Sequence, residues 1–281
     1  MAYNNDVTIL VQSCDQNEDL WPVFFEVFFR QWPECPYNVI LNTETKQFHC
    51  KEHIISTINL DCDVSDALSV PWSDRYIHVL NQINTKYVLV FLDDFFPRES
   101  ISTFAFNSLI NKVDQIVNFG CVYFNFPNKP VFYDKKLDLF FIHKDTWSRV
   151  NSVCGLWKSN ELVKTLVPGE SPWEYEPKAT LRYKHSKTKF YATNYDTSPI
   201  KLLFCEQLVR GKWSCECVKL LKKMDIEVDY EKRGIVEFPY KKNRILRYKP
   251  ENLYLRIRHS IYIYNLFKPI RYFRKIKKTR I

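Results

Sequence analysis

Two adjacent carboxylates, Asp93 and Asp94, follow the run YVLVFL at Tyr87–Leu92. Carboxylates leaving a buried strand are costly unless something compensates their charge. A divalent cation carrying a diphosphate is a suitable partner. Mg2+ or Mn2+ takes one or two protein carboxylates and completes its shell with water and phosphate oxygens, and it offsets charge on a departing diphosphate. The plainer alternative gives one Asp to capping the next turn and the other to an ordinary ion pair. A second acidic cluster is Trp173-Glu174-Tyr175-Glu176. A carboxylate there suits a general base that takes the proton of an attacking hydroxyl. On a helix Glu174 and Glu176 point about 200° apart, at about 100° per residue, so only one of them faces a given site.

Other constellations exclude more than they suggest. Cys215-Glu216-Cys217 and Cys50-x-x-His53 each lack a second Cys/His pair at ligand spacing, against a zinc site. The chain has 5 Gly, and neither G-x-G-x-x-G nor G-x-x-x-x-G-K occurs, against a glycine-rich phosphate loop. No serine nucleophile elbow is present. Paired carboxylates also serve glycoside hydrolases, but an acid pair at a strand end after a β-α-β start fits nucleotide binding better.

The elements that must hold these residues read as α/β. Val7–Val11 is a buried strand followed by the polar loop Ser13-Cys14-Asp15. Asp19 can cap a helix through Phe24, Phe25, Val27 and Phe28 to about Trp32, and Tyr37–Asn42 is a second strand. Such β-α-β units give parallel sheets. Ser73 or Asp74 is expected to cap a helix carrying Ile77, Leu80 and Ile83. Tyr87–Leu92 is apolar on consecutive positions, as in a strand buried on both faces, and ligands of open α/β sheets gather outside the carboxyl ends of strands. A helix is expected over Ser100–Val117, a strand over Cys121–Phe124, a short helix over Leu156–Leu166, a helix opening at Trp173, a strand over Lys189–Thr193 and a helix through Val218, Leu220 and Leu221.

Charge divides the chain of 281 residues unevenly. The net charge is +9, yet residues 241–281 hold 14 Lys and Arg against Glu251 alone, so the preceding 240 residues are mildly acidic. Such a tail implies an anionic partner. Residues 252–281 place apolar side chains at near-helical spacing among the basic ones. They suit peripheral contact with an anionic membrane or a solvated helix packed on its own domain. Arg with aromatics can also bind a nucleic-acid strand, but no recognition motif supports that. The 9 cysteines are scattered. Met1 leads into polar residues and a short strand rather than the basic start and apolar stretch of a signal peptide. The expectation is reduced thiols and a cytoplasmic location, with the tail on the inner face of the plasma membrane.

Four segments carry a resemblance: VTILVQSCD, WSDRYIHVLNQINTKYVLVFLDDFF, GLWKSNELVKTLVPGESPWEYE and VRGKW. Together they resemble bacterial glycosyltransferases of the GT-A fold, in the broad family-2-like group found with surface-polysaccharide genes. The resemblance spans residues 7 to about 213. It implies a Rossmann-like α/β domain over 1–240, with a mostly parallel central sheet flanked by helices, followed by a basic helical extension over 241–281. It implies a nucleotide-sugar-binding half over about 1–120 and an acceptor-binding half over about 121–240. The implied activity moves a sugar from a nucleotide diphosphate sugar to a hydroxyl of a glycan or lipid-linked acceptor in polysaccharide biosynthesis, with inversion because base candidates exist.

The same resemblance implies that Ser13 and Asp15 lie near the nucleotide, and that Asp93 and Asp94 correspond to the metal-binding Asp-x-Asp element. Phe95 interrupts that motif, so one Asp binds Mn2+ or Mg2+ alone or the enzyme works without metal. Arg75 is a donor-side candidate, as is Asp74 unless it only caps its helix. Glu174 is the first choice for the base and Glu176 the second. Trp173 stacks on a sugar ring or packs in the core. His185 supplies a late metal ligand or is merely structural. Lys212 meets the diphosphate or sits on the surface beside Trp213. The rival readings are a degenerate, non-catalytic partner of the same fold and a basic nucleic-acid-binding protein.

Overall fold

The computed structural model describes residues 6–60, 62–124, 126, 132–203 and 207–236. The basic extension 241–281, and with it the expected membrane contact of 252–281, lies outside the described residues.

The expected α/β architecture is the one found. Nine strands form one sheet: β1 (Val7–Gln12), β2 (Asn38–Asn42), β3 (Ile55–Ile58), β4 (Tyr87–Leu92), β5 (Phe119–Tyr123), β6 (Phe132–Asp134), β7 (Leu139–Ile142), β8 (Gly155–Lys158) and β9 (Lys189–Thr193). Their order is β3-β2-β1-β4-β8-β5-β9-β7-β6. β1 pairs in parallel with β2 and with β4, β2 with β3, and β5 with β9. Only β8 and β7 run against the common direction. A separate hairpin joins β10 (Leu208–Val209) to β11 (Lys212–Trp213).

Alternation along the strands sorts the core into two layers. On one face Ile9, Val11, Leu89 and Phe91 pack with α1 (Leu20–Gln31), α4 (Thr103–Asp114) and α7 (Cys215–Lys223). There Phe24 and Phe28 of α1 meet Phe91 with ring centroids 6.0 and 5.7 Å apart. On the other face Leu10, Val88, Val90 and Trp157 pack with α3 (Trp72–Leu80), α5 (Ser159–Thr165) and α6 (Pro172–Arg182). A short α2 (Val64–Ser69) follows β3. Strands covered on both faces read as continuous apolar runs, which is why YVLVFL was legible and emerges as β4 with unchanged bounds.

Three local expectations are corrected. The helix expected over Leu156–Leu166 is instead β8 followed by α5, and β8 is inserted between β4 and β5. Leu156 and Trp157 are fully buried there, and sheet pairing on both sides overrides local helix preference. Asp19 precedes α1 but makes no side-chain capping bond. Neither Ser73 nor Asp74 caps α3, whose N-cap is Pro71; both side chains instead bond the loop before α6, as set out below.

The insertion of β8 depends on Gly155. A Cβ there would lie 2.9 Å from Cys121 Sγ, 3.1 Å from Tyr123 Cδ1 and 3.3 Å from the Val122 carbonyl oxygen. The Val122 carbonyl is fixed by the sheet, and the Cys121 and Tyr123 side chains are fully buried on β5, so relief requires the strands or those side chains to shift. Overpacking of this kind costs about 1–3 kcal/mol. Gly155→Ala is expected to lower the urea midpoint accordingly; an unchanged midpoint would show that the strands yield freely.

Candidate functional site

The carboxyl ends of β1, β2 and β4 lie side by side, with Gln12 in register with both Asn42 and Leu92. The chain stays knitted beyond the strands: Ser13 N donates to the Asn42 carbonyl at 3.0 Å, and Asp93 N to the Gln12 carbonyl at 3.2 Å. The loop after β1, which includes a single 3-10 turn at Asp15–Asn17, therefore meets the turn that holds Asp93 and Asp94.

Asp93 is buried, with 5% exposure. The Ser13 hydroxyl donates to its carboxylate, and Ser13 Oγ in turn accepts from Trp21 Nε1 at 2.6 Å. The nearby Asn17 side chain also favours the ionised form of Asp93. These neutral partners do not offset the loss of water, and burial pushes the Asp93 carboxyl up to about 6. Asp94 is half-buried in the same turn.

Asp15 is brought to this edge in a bracing role. Its carboxylate accepts from the backbone N–H of Glu44 at 3.0 Å, Thr45 at 3.1 Å and Lys46 at 3.2 Å, and from Thr45 Oγ1 at 2.6 Å. Glu44, itself buried, returns the bond by accepting from Asp15 N and pairs with Arg75 of α3. Arg75 Nε and Gln12 Nε2 are buried without a hydrogen-bond partner. Ser13, Asp15, Arg75, Asp93 and Asp94 thus share one edge of the sheet.

Helix α6 reaches the same edge through α3. Glu170 N donates to Ser73 Oγ at 2.9 Å, Ser73 N donates to the Glu170 carbonyl at 3.1 Å, and Gly169 N donates to Asp74 Oδ2 at 2.7 Å. Arg182 grips the Glu170 carboxylate at 2.6 and 2.9 Å. Pro172 stands in the first turn of α6, behind a capping box.

The capping box changes how the two glutamates compare. Glu174 Oε2 accepts from Ser171 N at 3.0 Å and Ser171 Oγ at 2.8 Å, and its Oε1 pairs with Lys178 at 2.9 Å. These bonds and the Lys178 charge hold its carboxyl down to about 2. Glu176 turns elsewhere: its Oε1 accepts from Ser152 N at 3.0 Å and Ser152 Oγ at 2.6 Å. Trp173 is 87% exposed, so the core reading of this residue is set aside.

His185 is not brought to the acid pair. It is exposed in the turn before β9, and β9 runs in the same direction as β4 because both β4 and β5 oppose β8. The start of β9 and the end of β4 therefore lie on opposite edges of the sheet. Among the described residues no group of three or more His, Cys, Asp or Glu gathers to hold a metal. The donor set that remains, Asp93 and Asp94, fits only a cation that draws its other ligands from phosphate and water, as Mg2+ and Mn2+ do. Lys212 is exposed on the β10–β11 hairpin, beside Gly234.

Four residues at this edge were not singled out from sequence: Gln12, Asn17, Glu44 and Arg233. The last pairs with Asp19 through Nε at 2.7 Å and Nη2 at 2.6 Å. No spacing rule joins it to Asp93, because the link is tertiary.

No protein-family model matches the chain, and no curated protein sequence does. Solved structures similar to it include S. aureus TarS 1–349 in complex with UDP-GlcNAc, with 10% identity, a TM-score of 0.43, and coverage of 67% of this chain and 58% of that one. The bifunctional IspDF from Campylobacter jejuni has 12% identity and a TM-score of 0.35, covering 69% of this chain and 51% of that one. An active-site mutant of LgtC has 11% identity and a TM-score of 0.36, covering 63% and 65%. The chain spans less than two thirds of each of these structures. No helix among the described residues is long and apolar enough to cross a membrane.

Burial of Asp93 gives stability a pH dependence of defined sign. A carboxyl whose folded value, about 6, exceeds its unfolded value of about 4 contributes stability below the unfolded value, and that contribution is lost as pH rises through the folded one. Asp93→Asn removes this slope. The difference in melting temperature, variant minus parent, is expected to grow in the variant's favour between pH 4 and pH 7.5; a constant difference would show that Asp93 is not desolvated.

Proposed function

We propose that the chain is a glycosyltransferase that moves a sugar from a nucleotide diphosphate sugar to a hydroxyl of a glycan or lipid-linked acceptor, with inversion. The observation that carries this reading is the pair Asp93 and Asp94 at the joined carboxyl ends of β1, β2 and β4. One of them, Asp93, is buried and accepts from the neutral Ser13 hydroxyl. Ligands of open α/β sheets bind at this edge, and a buried carboxylate favours a cationic group of the ligand. The donor-side contacts are Ser13, Asp15, Arg75, Asp93 and Asp94, with Lys212 a further contact to the diphosphate.

Asp94 and Asp93 would hold Mg2+ or Mn2+. When bound, that ion offsets charge on the leaving diphosphate. Gln12 Nε2 and Arg75 Nε, both buried and unpaired, are donors suited to acceptor atoms of the nucleotide. On the acceptor side Glu176 takes the role of base. Glu174 is a weak proton acceptor at about 2 and is committed to its cap and to Lys178, whereas an effective base has a pKa nearer the working pH. Ser152 orients the Glu176 carboxylate. Trp173, standing out at the start of α6, supplies a face for a sugar ring. Residues 252–281 would bring the protein to an anionic membrane surface, where a lipid-linked acceptor resides.

The test separates binding from chemistry. Glu176→Gln is expected to lower kcat by about 10²-fold or more with donor affinity unchanged, while Glu174→Gln keeps turnover near the parent value. Asp94→Ala is expected to lose donor binding, read by calorimetry. Full turnover in Glu176→Gln would remove that residue from the mechanism. Donor binding with no transfer to any acceptor in a broad panel would favour the non-catalytic partner reading.

A further inference from the structure

The chain between β7 and β8 returns along α6. It enters β8 at Gly155, opposite Val90 near the end of β4, and Phe124 N donates to the Cys154 carbonyl at 2.9 Å just beyond β5. Residues shortly before Gly155 therefore lie toward the edge where β4 delivers Asp93 and Asp94. The stretch 149–152 grips α6 at three levels. Ser152 holds the Glu176 carboxylate through its N and Oγ. Val150 N donates to Thr180 Oγ1 at 3.1 Å, and Thr180 Oγ1 donates back to the Val150 carbonyl at 3.2 Å. Arg149 Nη1 donates to the Tyr183 carbonyl at 2.9 Å. Glu176, Thr180 and Tyr183 follow one another at i, i+4 and i+7, along one side of the helix.

Arg149 anchors this stretch. It is 2% exposed, and among the described residues no carboxylate pairs with it. Its Nη2 donates to the Thr188 carbonyl at 2.6 Å, and its guanidinium carbon lies 4.8 Å from the centroid of the Phe190 ring. A buried cation needs compensation. Here it comes from the negative end of the α6 dipole, where Tyr183 is the C-cap, and from the ring face. The two carbonyls belong to different elements, the end of α6 and the turn into β9, so a planar fork spans a gap that a point charge does not. Tyr123 of β5 holds the stretch from the sheet side. Its hydroxyl accepts from Asn151 N at 3.0 Å and donates to the Arg149 carbonyl at 3.2 Å.

We infer that Arg149 is a positioning residue for the acceptor side: its fork ties the stretch 149–152 to the C-terminal end of α6, which fixes where along the helix that stretch lies and so where Ser152 presents the Glu176 carboxylate. Arg149 acts through Ser152 rather than on a substrate. The inference rests on the proposed role of Glu176 as base for its functional meaning, but the placement is readable without ligand.

The test compares Arg149→Lys, Arg149→Met, Ser152→Ala and the double variant Arg149→Met with Ser152→Ala, in the full chain. Hydrogen exchange without ligand reads the placement. The amides of Val150, Asn151 and Ser152, all bonded to side chains, are expected to exchange faster in both Arg149 variants, while those of Leu89 and Val90 in β4 keep the parent protection. With donor and acceptor present, kcat of Arg149→Met is expected to fall by about 10- to 100-fold, as for a displacement of about 1 Å, with donor KM unchanged. Arg149→Lys keeps the charge without the fork, and its kcat is expected to fall as well. The double variant is expected to lose little more than the weaker of its two single variants, because both act on one placement. If Arg149→Met does not fold, Arg149→Lys carries the test. Parent kcat in either Arg149 variant would overturn the inference. So would fully additive losses in the double variant, or equally faster exchange in β4, which marks general loosening. Faster exchange confined to 150–152 in a chain that transfers no sugar supports the placement and counts against the proposed function instead.

Discussion

The burial of one carboxylate organises the rest of this molecule. Asp93 leaves β4 where the strand ends but the core does not, so its charge has little water around it. An ionised carboxylate in such a place must be hydrogen-bonded or neutralised. The Ser13 hydroxyl does the former, which by itself lowers the carboxyl, but desolvation outweighs it and the net shift is upward. Under the proposed function, a cation-bound diphosphate at this edge would supply the positive charge that a buried carboxylate favours.

Keeping that carboxylate in place requires three chain segments. The β1 loop provides Ser13, and is itself braced by the reciprocal bonds of Asp15 with residues 44–46. The Arg75–Glu44 pair ties this brace to α3. Helix α3 in turn holds the loop before α6 through Ser73 and Asp74. The edge at the ends of β1, β2 and β4 and the glutamate-bearing helix are thus connected by one continuous set of polar contacts.

The strands that carry the site were legible because burial on both faces writes a plain signal. β4 emerges with its expected bounds, β1 gains only Gln12, and β9 is unchanged. Gly155–Lys158 misled because GLWK continues into a helix-forming run, and nothing local tells a strand inserted between two others from a first helical turn. The caps misled for a related reason. Ser73, Asp74 and Asp19 are good capping types, but each had a tertiary partner: the loop 169–170 for the first two and Arg233 for the third. The acid pair was legible from its place after β4. Which glutamate is engaged within α6 was not legible, because spacing said only that the two diverge; the capping box with Ser171 and the ion pair with Lys178 engage Glu174.

The central claim is that the edge at Asp93 and Asp94 receives a nucleoside diphosphate. Thermal unfolding of the intact protein against nucleoside mono- and diphosphates of each base, with and without Mn2+, tests it most directly. A ligand at about 100 times its Kd stabilises the fold by about 2.7 kcal/mol, a readily measured shift. Diphosphates of one base are expected to raise the melting temperature more than their monophosphates do. No shift with any nucleotide, in the presence or absence of Mn2+, would contradict it.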